Sequence, residues 1–493
     1  MTGVWPVAEV RAAERRLMAG LPDGVLMRRA AAGLAASCAE LLPGVYGARV
    51  ALLVGAGGNG GDTLYAGALL AGRGARVDAV LVAPDRAHAG GLAALRAAGG
   101  RVHTTGGTGV VRGAELVVDG VVGIGGRGGL RPAVAELAEA AWDSGAVRVA
   151  TDVPSGVDAD TGEVPGPAFQ ADLTVTFGCL KPGLVAGLGR GYAGLVRLVD
   201  IGLLPHLPAP RLRVLGHSDV AALLPVPRPQ DDKYSRGAVG VLAGSAAYGG
   251  AAVLTAGGAV RGGAGIVRYV GSAAAEVRAR WPETIVSEAR PSAAGRVQAW
   301  AVGSGLGTGE AELDLLAEVL ATDLPVLVDA DGITMLARRP DLLRARAAPT
   351  LLTPHDREFA RLCGPVGPDR IGAARRAAAD LGAAVLLKGD VTVVARPDGL
   401  AYLNPTGSPW LATAGSGDVL SGLGGALLAA HAGRPAVDVA LSGACAAYLH
   451  GVAGGRSGPG TSATTVLDAL PAALAEILAT SRRTRVSEEP RQA

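Results

Sequence analysis

One pattern confines this chain to few folds: an apolar run ending in glycine, a helical stretch, then another apolar run. Residues 49–57 read RVALLVGAG, a strand that feeds a glycine-rich turn. A helix follows from Gly61 to Arg73, and RVDAVLVAP (76–84) is a second strand. Strand, crossover helix and strand make a βαβ unit, the building block of a parallel sheet covered by helices. The alternation continues through a helical AGGLAALRAAG, a strand at 115–125, a helix at 132–144 and strands at 146–156, 173–177 and 194–203. Ahead of it, residues 8–41 are helical with a Gly/Pro break from Gly20 to Gly24.

Residues 204–232 are proline-rich and read as a linker into a second domain. Alternation then restarts with strand 238–245, a small-residue helix at 249–263, strands GIVRYVG and 299–305, helix 309–322 and strand 324–332. TLLTPHDREF leads to helix 371–381, strand 383–389 and a strand pair in TVVARPDGLAYLNPTG. Three helices close the domain, starting at Ser416, Val437 and Ser462. The expected division is residues 1–210, residues 211–480 and a disordered tail at 481–493.

A chain of 493 residues is long enough for two or three domains. A net charge of +2 without a long basic run argues against a dedicated nucleic-acid binder. Cys38, Cys179, Cys363 and Cys445 are far apart and form no CxxC pair, which fits a reducing cytoplasm. The N-terminus reaches Arg16 without the apolar core of a signal peptide. Asp418, His431, Arg434 and Asp438 interrupt the apolar C-terminal runs, so these read as buried helices and not membrane spans. A cytoplasmic, membrane-free location is expected. Positive charge is almost all arginine; lysine occurs only at Lys181, Lys233 and Lys388, and asparagine only at Asn59 and Asn404. Such survivors mark positions where a compact ammonium or a carboxamide is needed.

Four stretches carry candidate chemistry. LATAGSGDVLSG (411–422) is a glycine turn entering a helix, an anion site on Gly415, Ser416 and Gly417 with the Asp418 carboxylate beside it. An ordinary capped helix start has the same composition. In the first domain, GAGGNGGDT (55–63) allows close backbone approach to a phosphate and places Asn59 and Asp62 there. VVDGVVGIGGRGG (117–129) and TDVPSGVDADTG (151–162) put Asp119, Asp152 and Ser155 at strand ends, where open α/β sheets bind ligands.

Those three first-domain motifs resemble the NAD(P)H-hydrate epimerase family. The resemblance implies a K+ ion on Asn59, Asp119 and Ser155, and Asp152 as catalytic acid/base. It implies substrate contacts from Gly58, Asn59, Gly60, Gly61 and Asp62, and from Gly123, Ile124, Gly125, Gly126, Arg127, Gly128 and Gly129. TFGCLKPG (176–183) also matches that family; Gly58 and Thr63 depart from its pattern. The second domain resembles the ribokinase-like superfamily, and within it the ADP-dependent NAD(P)H-hydrate dehydratases. DKYSRG, LTAGGAVRGGAG, GSGLG, VDADG, LLTPHDREFARL, LLKG and NPTGSPWLATAGSGDVLSG occur in the family's order. Here the resemblance implies Asp418 as catalytic base and substrate contacts from Ala251, Gly305 and His355. It implies nucleotide contacts from Lys388, Gly389, Asp390, Val391, Thr392 and Gly417. Asp329 and Asp331 are candidates to position Mg2+ or to cap the next helix. Ser304 and Arg357 depart from the family pattern.

The implied fold is α/β, with two three-layer αβα sandwiches, one Rossmann-like and one ribokinase-like. The implied reactions are equilibration of R and S hydrates of NADH and NADPH (NADHX and NADPHX), and ADP- and Mg2+-dependent dehydration of the S form. Small-molecule partners and a homo-oligomer are expected, without nucleic acid or membrane. Two readings compete: a ribokinase-like kinase for a small alcohol, and a non-catalytic N-terminal binding module.

Overall fold

The computed structural model describes residues 1–432, 434 and 438–488, with 480–488 described by backbone alone. The chain forms two compact units, Gly3–Arg211 and, with Met1–Thr2, Leu212–Ala493.

The N-terminal unit carries a seven-stranded sheet. Its order is Arg101–His103, Arg76–Leu81, Arg49–Val54, Leu116–Gly120, Val147–Thr151, Leu173–Phe177 and Leu195–Val199. Every pairing is parallel. Strand Arg49–Val54 is buried from its second residue onward because helices cover both sheet faces. The direction in which successive strands are added across the sheet reverses between this strand and Leu116–Gly120, its parallel neighbour on the far side from Arg76–Leu81. A crevice opens there beyond the strand ends, as in doubly wound sheets. Strand 146–156 is shorter than its apolar run: it stops at Thr151 because Asp152 turns into the left-handed region at φ 65°. The short edge strand Arg101–His103 has too little apolar length to be read from sequence. Arg101 and His103 fix it by gripping the Asp78 carboxylate at 2.8 and 2.7 Å.

In the C-terminal unit, five central strands run parallel: Ala238–Leu242, Ala299–Val302, Val326–Val328, Thr350–Leu352 and Ala384–Leu387. Ile266–Val270 and Ile285–Ser287 extend one side in parallel, and Thr392–Ala395 and Ala401–Asn404 extend the other as an antiparallel pair. Residues 204–232 do more than link: Leu212–Val214 adds a parallel strand beside Ala401–Asn404, and His217–Leu223 is a helix. Strand 324–332 ends at Val328; Ala330, at φ 47°, turns the chain into helix Ala330–Arg338.

Helix Ser416–His431 lies at the centre of this unit, buried along most of its length. Glycine permits that position. A Cβ on Gly422 would stand 1.9 Å from the Thr255 carbonyl, and one on Gly258 would stand 2.3 Å from that of Val419. Helix Gly249–Arg261 therefore crosses Ser416–His431 backbone against backbone. The next helix is Val439–Ser457; Val437, its expected start, lies outside the described residues. The last helix runs from Ala463 to Glu488, through the first part of the segment whose composition reads as a disordered tail, and 489–493 lie outside the described residues. Among the described residues, no helix is long and apolar enough to cross a membrane.

Candidate active sites

A cavity of about 670 Å³ opens at the strand ends of the N-terminal unit. Helix Gly58–Gly72 starts straight after strand Arg49–Val54, so Gly58, Asn59 and Asp62 in its first turns face the cavity. All seven residues from Gly123 to Gly129 line it, as does Asp152. Gly60 and Gly61 are not on its wall. They are packing positions, where a Cβ would meet the Gly55 carbonyl at 2.3 Å and the Met27 sulfur at 2.8 Å.

Asp119 and Ser155 are brought together beneath the cavity, fully buried. The Ser155 hydroxyl donates to Asp119 Oδ1 at 2.7 Å and the Ser155 N–H to Oδ2 at 2.8 Å. Asp119 Oδ1 also accepts the Val121 N–H, and Ser155 Oγ accepts that of Val122. The next residue, Gly123, lies against the Asn59 side chain, whose Oδ1 would be 3.1 Å from a Cβ there. Burial pushes the Asp119 carboxyl up to about 6, against the Ser155 and Val121 hydrogen bonds that favour its charged form. The Asn59 amide nitrogen is buried without a hydrogen-bond partner. Amide N and O are assigned from their surroundings, and turning this amide over points a carbonyl oxygen into the same space.

Asp152 reaches the cavity from its left-handed backbone position. Its Oδ1 accepts from Lys181 Nζ at 2.6 Å and Thr176 Oγ1 at 3.0 Å. Lys181, 1% exposed, also donates to Thr176 Oγ1 and the Phe177 carbonyl, both at 2.9 Å. The buried Lys181 ammonium has the Asp152 carboxylate as its ion-pair partner. The Asp62 carboxyl stands well above the usual range, through burial first and then the charges of Asp152 and Glu14.

In the C-terminal unit, Gly415 at φ 83° turns the chain into helix Ser416–His431. Part of the proposed anion cradle is already committed. The Ser416 N–H donates to Thr413 O at 3.3 Å and its hydroxyl to Leu411 O at 2.7 Å, while the Asp418 N–H donates to Gly415 O at 3.1 Å. At Gly417 a Cβ would stand 3.5 Å from Lys388 Nζ, so the missing side chain leaves the ammonium open to the loop.

Asp329 organises this site from below and is 2% exposed. Its Oδ1 accepts from Lys388 Nζ at 2.8 Å and Thr353 Oγ1 at 2.9 Å, and its Oδ2 from Ser421 Oγ at 2.6 Å. Burial alone would raise this carboxyl; the Lys388 charge and these hydrogen bonds overcome it and lower it. The Asp329 side chain caps no helix N–H, and its oxygens are taken. Asp331 accepts the Gly307 N–H at 2.9 Å. Buried Glu358 also approaches Lys388, at 3.7 Å, and the acids around the ammonium raise its pKa despite burial. Burial, and next the Asp329 charge, push Asp418 up to about 7, while Lys388 and the Ser304 hydroxyl pull it down.

His355 caps helix Asp356–Cys363. Its Nδ1 accepts the Arg357 and Glu358 N–H groups at 3.1 and 3.2 Å, leaving Nε2 on a half-exposed ring. Ala251 and Gly305 meet, a Cβ on Gly305 falling 2.7 Å from that of Ala251. Within 388–392, Val391 and Thr392 are buried while Gly389 and Asp390 are exposed. Asn404 binds Ala447 O and Thr406 inside the fold and is structural.

Sequence reading missed the partners. Lys181 was quoted without a role, Glu14 counted only among the N-terminal charges, and Glu358 and Ser421 stood inside longer motifs. Lysine rarity was the usable signal: both buried lysines sit on a site carboxylate.

A family model described as NAD(P)H-hydrate dehydratase matches residues 239–476, and one described as YjeF-related protein N-terminus matches residues 23–183. Fold and matches together define a two-unit α/β enzyme that joins a YjeF-related unit to an NAD(P)H-hydrate dehydratase unit. The bifunctional NAD(P)H-hydrate repair enzyme Nnr of Mycobacterium tuberculosis H37Rv is 55% identical over 449 residues, 89% of this chain and 91% of that protein. The Mycobacterium leprae protein of the same name is 53% identical over 97% of this chain and 100% of its own. The chain belongs to the family of bifunctional NAD(P)H-hydrate repair enzymes. A crystal structure of Bacillus subtilis ADP/ATP-dependent NAD(P)H-hydrate dehydratase, with ATP/Mg2+, aligns with a TM-score of 0.48 and 31% identity. It covers 54% of this chain and 98% of that one.

Proposed function

We propose that this chain repairs hydrated nicotinamide nucleotides in two steps. The N-terminal unit interconverts the R and S hydrates of NADH and NADPH, and the C-terminal unit returns the S form to the dihydronicotinamide. The observation that carries the reading is the pair of lysine-held carboxylate sites in one chain: Asp152 on Lys181 facing a cavity, and Asp418 beside the Asp329–Lys388 pair at a helix N-terminus.

In the first site, Asp152 moves protons at the hydrate hydroxyl. The N-terminus of helix Gly58–Gly72 and the glycines of 123–129 let backbone approach the substrate's pyrophosphate. A K+ ion fits Asn59, Asp119 and Ser155, because the orphaned Asn59 amide can present oxygen beside a buried carboxylate and hydroxyl. Bound there, it supplies fixed positive charge under the loop.

In the second site, Asp418 removes the proton of the hydrate hydroxyl, whose oxygen attacks the β-phosphorus of ADP, and AMP leaves with the bond pair. Phosphate then leaves with the C6–O bond pair and C5 gives up a proton to water, which forms the C5–C6 double bond; hydroxide would be a far poorer leaving group. Lys388 neutralises phosphate charge, and Gly389 to Thr392 meet the nucleotide. Among the described residues no cluster of three or more His, Cys, Asp or Glu side chains could hold a metal. Mg2+ fits as an ion carried on the ADP phosphates.

The test is incubation of the full chain with mixed R/S NADH hydrate, ADP and Mg2+, following NADH absorbance. Full recovery is expected. Recovery of the S fraction alone would remove the epimerase assignment, and no recovery with ADP or ATP would refute the reading.

A further inference from the structure

We propose that Glu14 is the catalytic acid of the epimerase site, the group that gives up a proton while Asp152 takes one; this rests on the repair function above.

Helix Val7–Met18 turns two faces inward. Val7, Val10, Ala13 and Leu17 are buried in the unit, while Arg11, Glu14 and Met18, at i, i+3 and i+7, form one wall of the cavity. The helix is pinned at its start, where the Val7 N–H donates to Asp160 Oδ1 at 2.7 Å. Glu14 thus looks into the same space as Asp62 and Asp152. The ionisable groups around it are Asp152, Lys181 and Arg11, with Asp62 and Cys179 also within its electrostatic reach. The one ammonium is committed to Asp152. Three carboxyls, Glu14, Asp62 and Asp152, face this cavity, with Arg11, Arg86, Arg127 and Arg131 as the guanidinium groups on its wall. Burial, and next the Asp152 charge, raise Glu14, against Lys181 and Arg11. Asp62 is raised well above the usual range, by burial first and then by the Asp152 and Glu14 charges. A carboxyl paired with an ammonium and a carboxyl raised by burial divide into base and acid.

The step balances without a co-reactant. Asp152 takes the proton of the C6 hydroxyl, and the O–H pair becomes the second bond of a C6 carbonyl. The C6–N1 bond breaks with its pair going to N1, which takes the proton of Glu14. The open aldehyde rotates about C5–C6. Closing reverses each transfer: N1 attacks C6 and returns its proton to Glu14, and the oxygen recovers its own from Asp152.

The experiment uses the full chain, R hydrate freed of S, ADP and Mg2+, with the spontaneous rate subtracted. Glu14→Gln keeps the side-chain shape, and near-UV circular dichroism checks the fold. The expected result is a loss of about 100-fold in kcat for the R hydrate. KM and S-hydrate turnover stay near wild type. An acid must be protonated, so wild-type R turnover falls as pH rises through Glu14's titration; that limb vanishes in Glu14→Gln and returns with partial activity in Glu14→Asp. Wild-type kcat in Glu14→Gln, or a raised KM with the alkaline limb intact, overturns the assignment. Wild-type protein that consumes S but never R overturns the epimerase reading itself, a distinguishable result that takes this assignment with it.

Discussion

Replacing Asp418 with Asn should end dehydration and, above neutral pH, make the C-terminal unit more stable. Asp418 is raised from 3.8 to about 7, by burial first and then by the Asp329 charge. At about 1.4 kcal/mol per pH unit, holding it ionised costs on the order of 4 kcal/mol. The folded state keeps a proton that the unfolded chain releases from about pH 4 upward, so this group's contribution to stability falls as pH rises to about 7 and stays low above it. Asn has the carboxyl's shape without the charge, so it removes that cost at pH 8 and changes little at pH 4. Urea unfolding of the full chain at both pH values reads the difference. Amide exchange of peptides covering Ser416–His431 assigns the transition to this unit. The same residue sets the acid limb of wild-type dehydration, which needs the carboxylate and should rise with pH around 7. Equal stability of wild type and Asp418→Asn at pH 8, or dehydration level from pH 5 to 8, would refute the argument that burial and Asp329 hold this carboxyl up.

Ser155→Ala removes the hydroxyl that joins Asp119 to Val122. The K+ concentration for half-maximal epimerisation should rise tenfold or more, on the order of the loss of a ligand or its partner; an unchanged K+ curve places the ion elsewhere. Gly422→Ala drives a methyl into the Thr255 carbonyl and should cost about 3 kcal/mol. Gly455→Ala, in helix Val439–Ser457 with open space around it, should stabilise by about 0.5 kcal/mol. Urea midpoints of the two variants should move in opposite directions.

The α/β alternation was legible because parallel strands buried on both faces need unbroken apolar runs. Strand ends were less legible. Thr151 and Val328 end strands because Asp152 and Ala330 adopt left-handed backbone, which neither side chain announces. Asn59, Asp119 and Ser155 could be read because they stand next to glycines at strand ends. Glu14, Lys181 and Glu358 could not be given roles, since each acts on a residue far away in sequence or from a helix face that looks like solvent-facing charge. Rarity separated Lys181 and Lys388 from the arginines, yet it also marked exposed Lys233 and structural Asn404. Rarity selects positions that resist replacement, whether the cause is chemistry or packing. His355 adds a structural cause: its Nδ1 is spent on a helix cap and its Nε2 lies 3.4 Å from Glu358 Oε1.

Opening a hydrated ring generates an aldehyde inside a protein, and aldehydes condense with amines. The one lysine of the N-terminal unit is Lys181, and all three of its N–H bonds are used, on Asp152, Thr176 and the Phe177 carbonyl. An ammonium held this way has no lone pair with which to form an imine. The clamp that positions Asp152 also shields the enzyme from being trapped by its own intermediate.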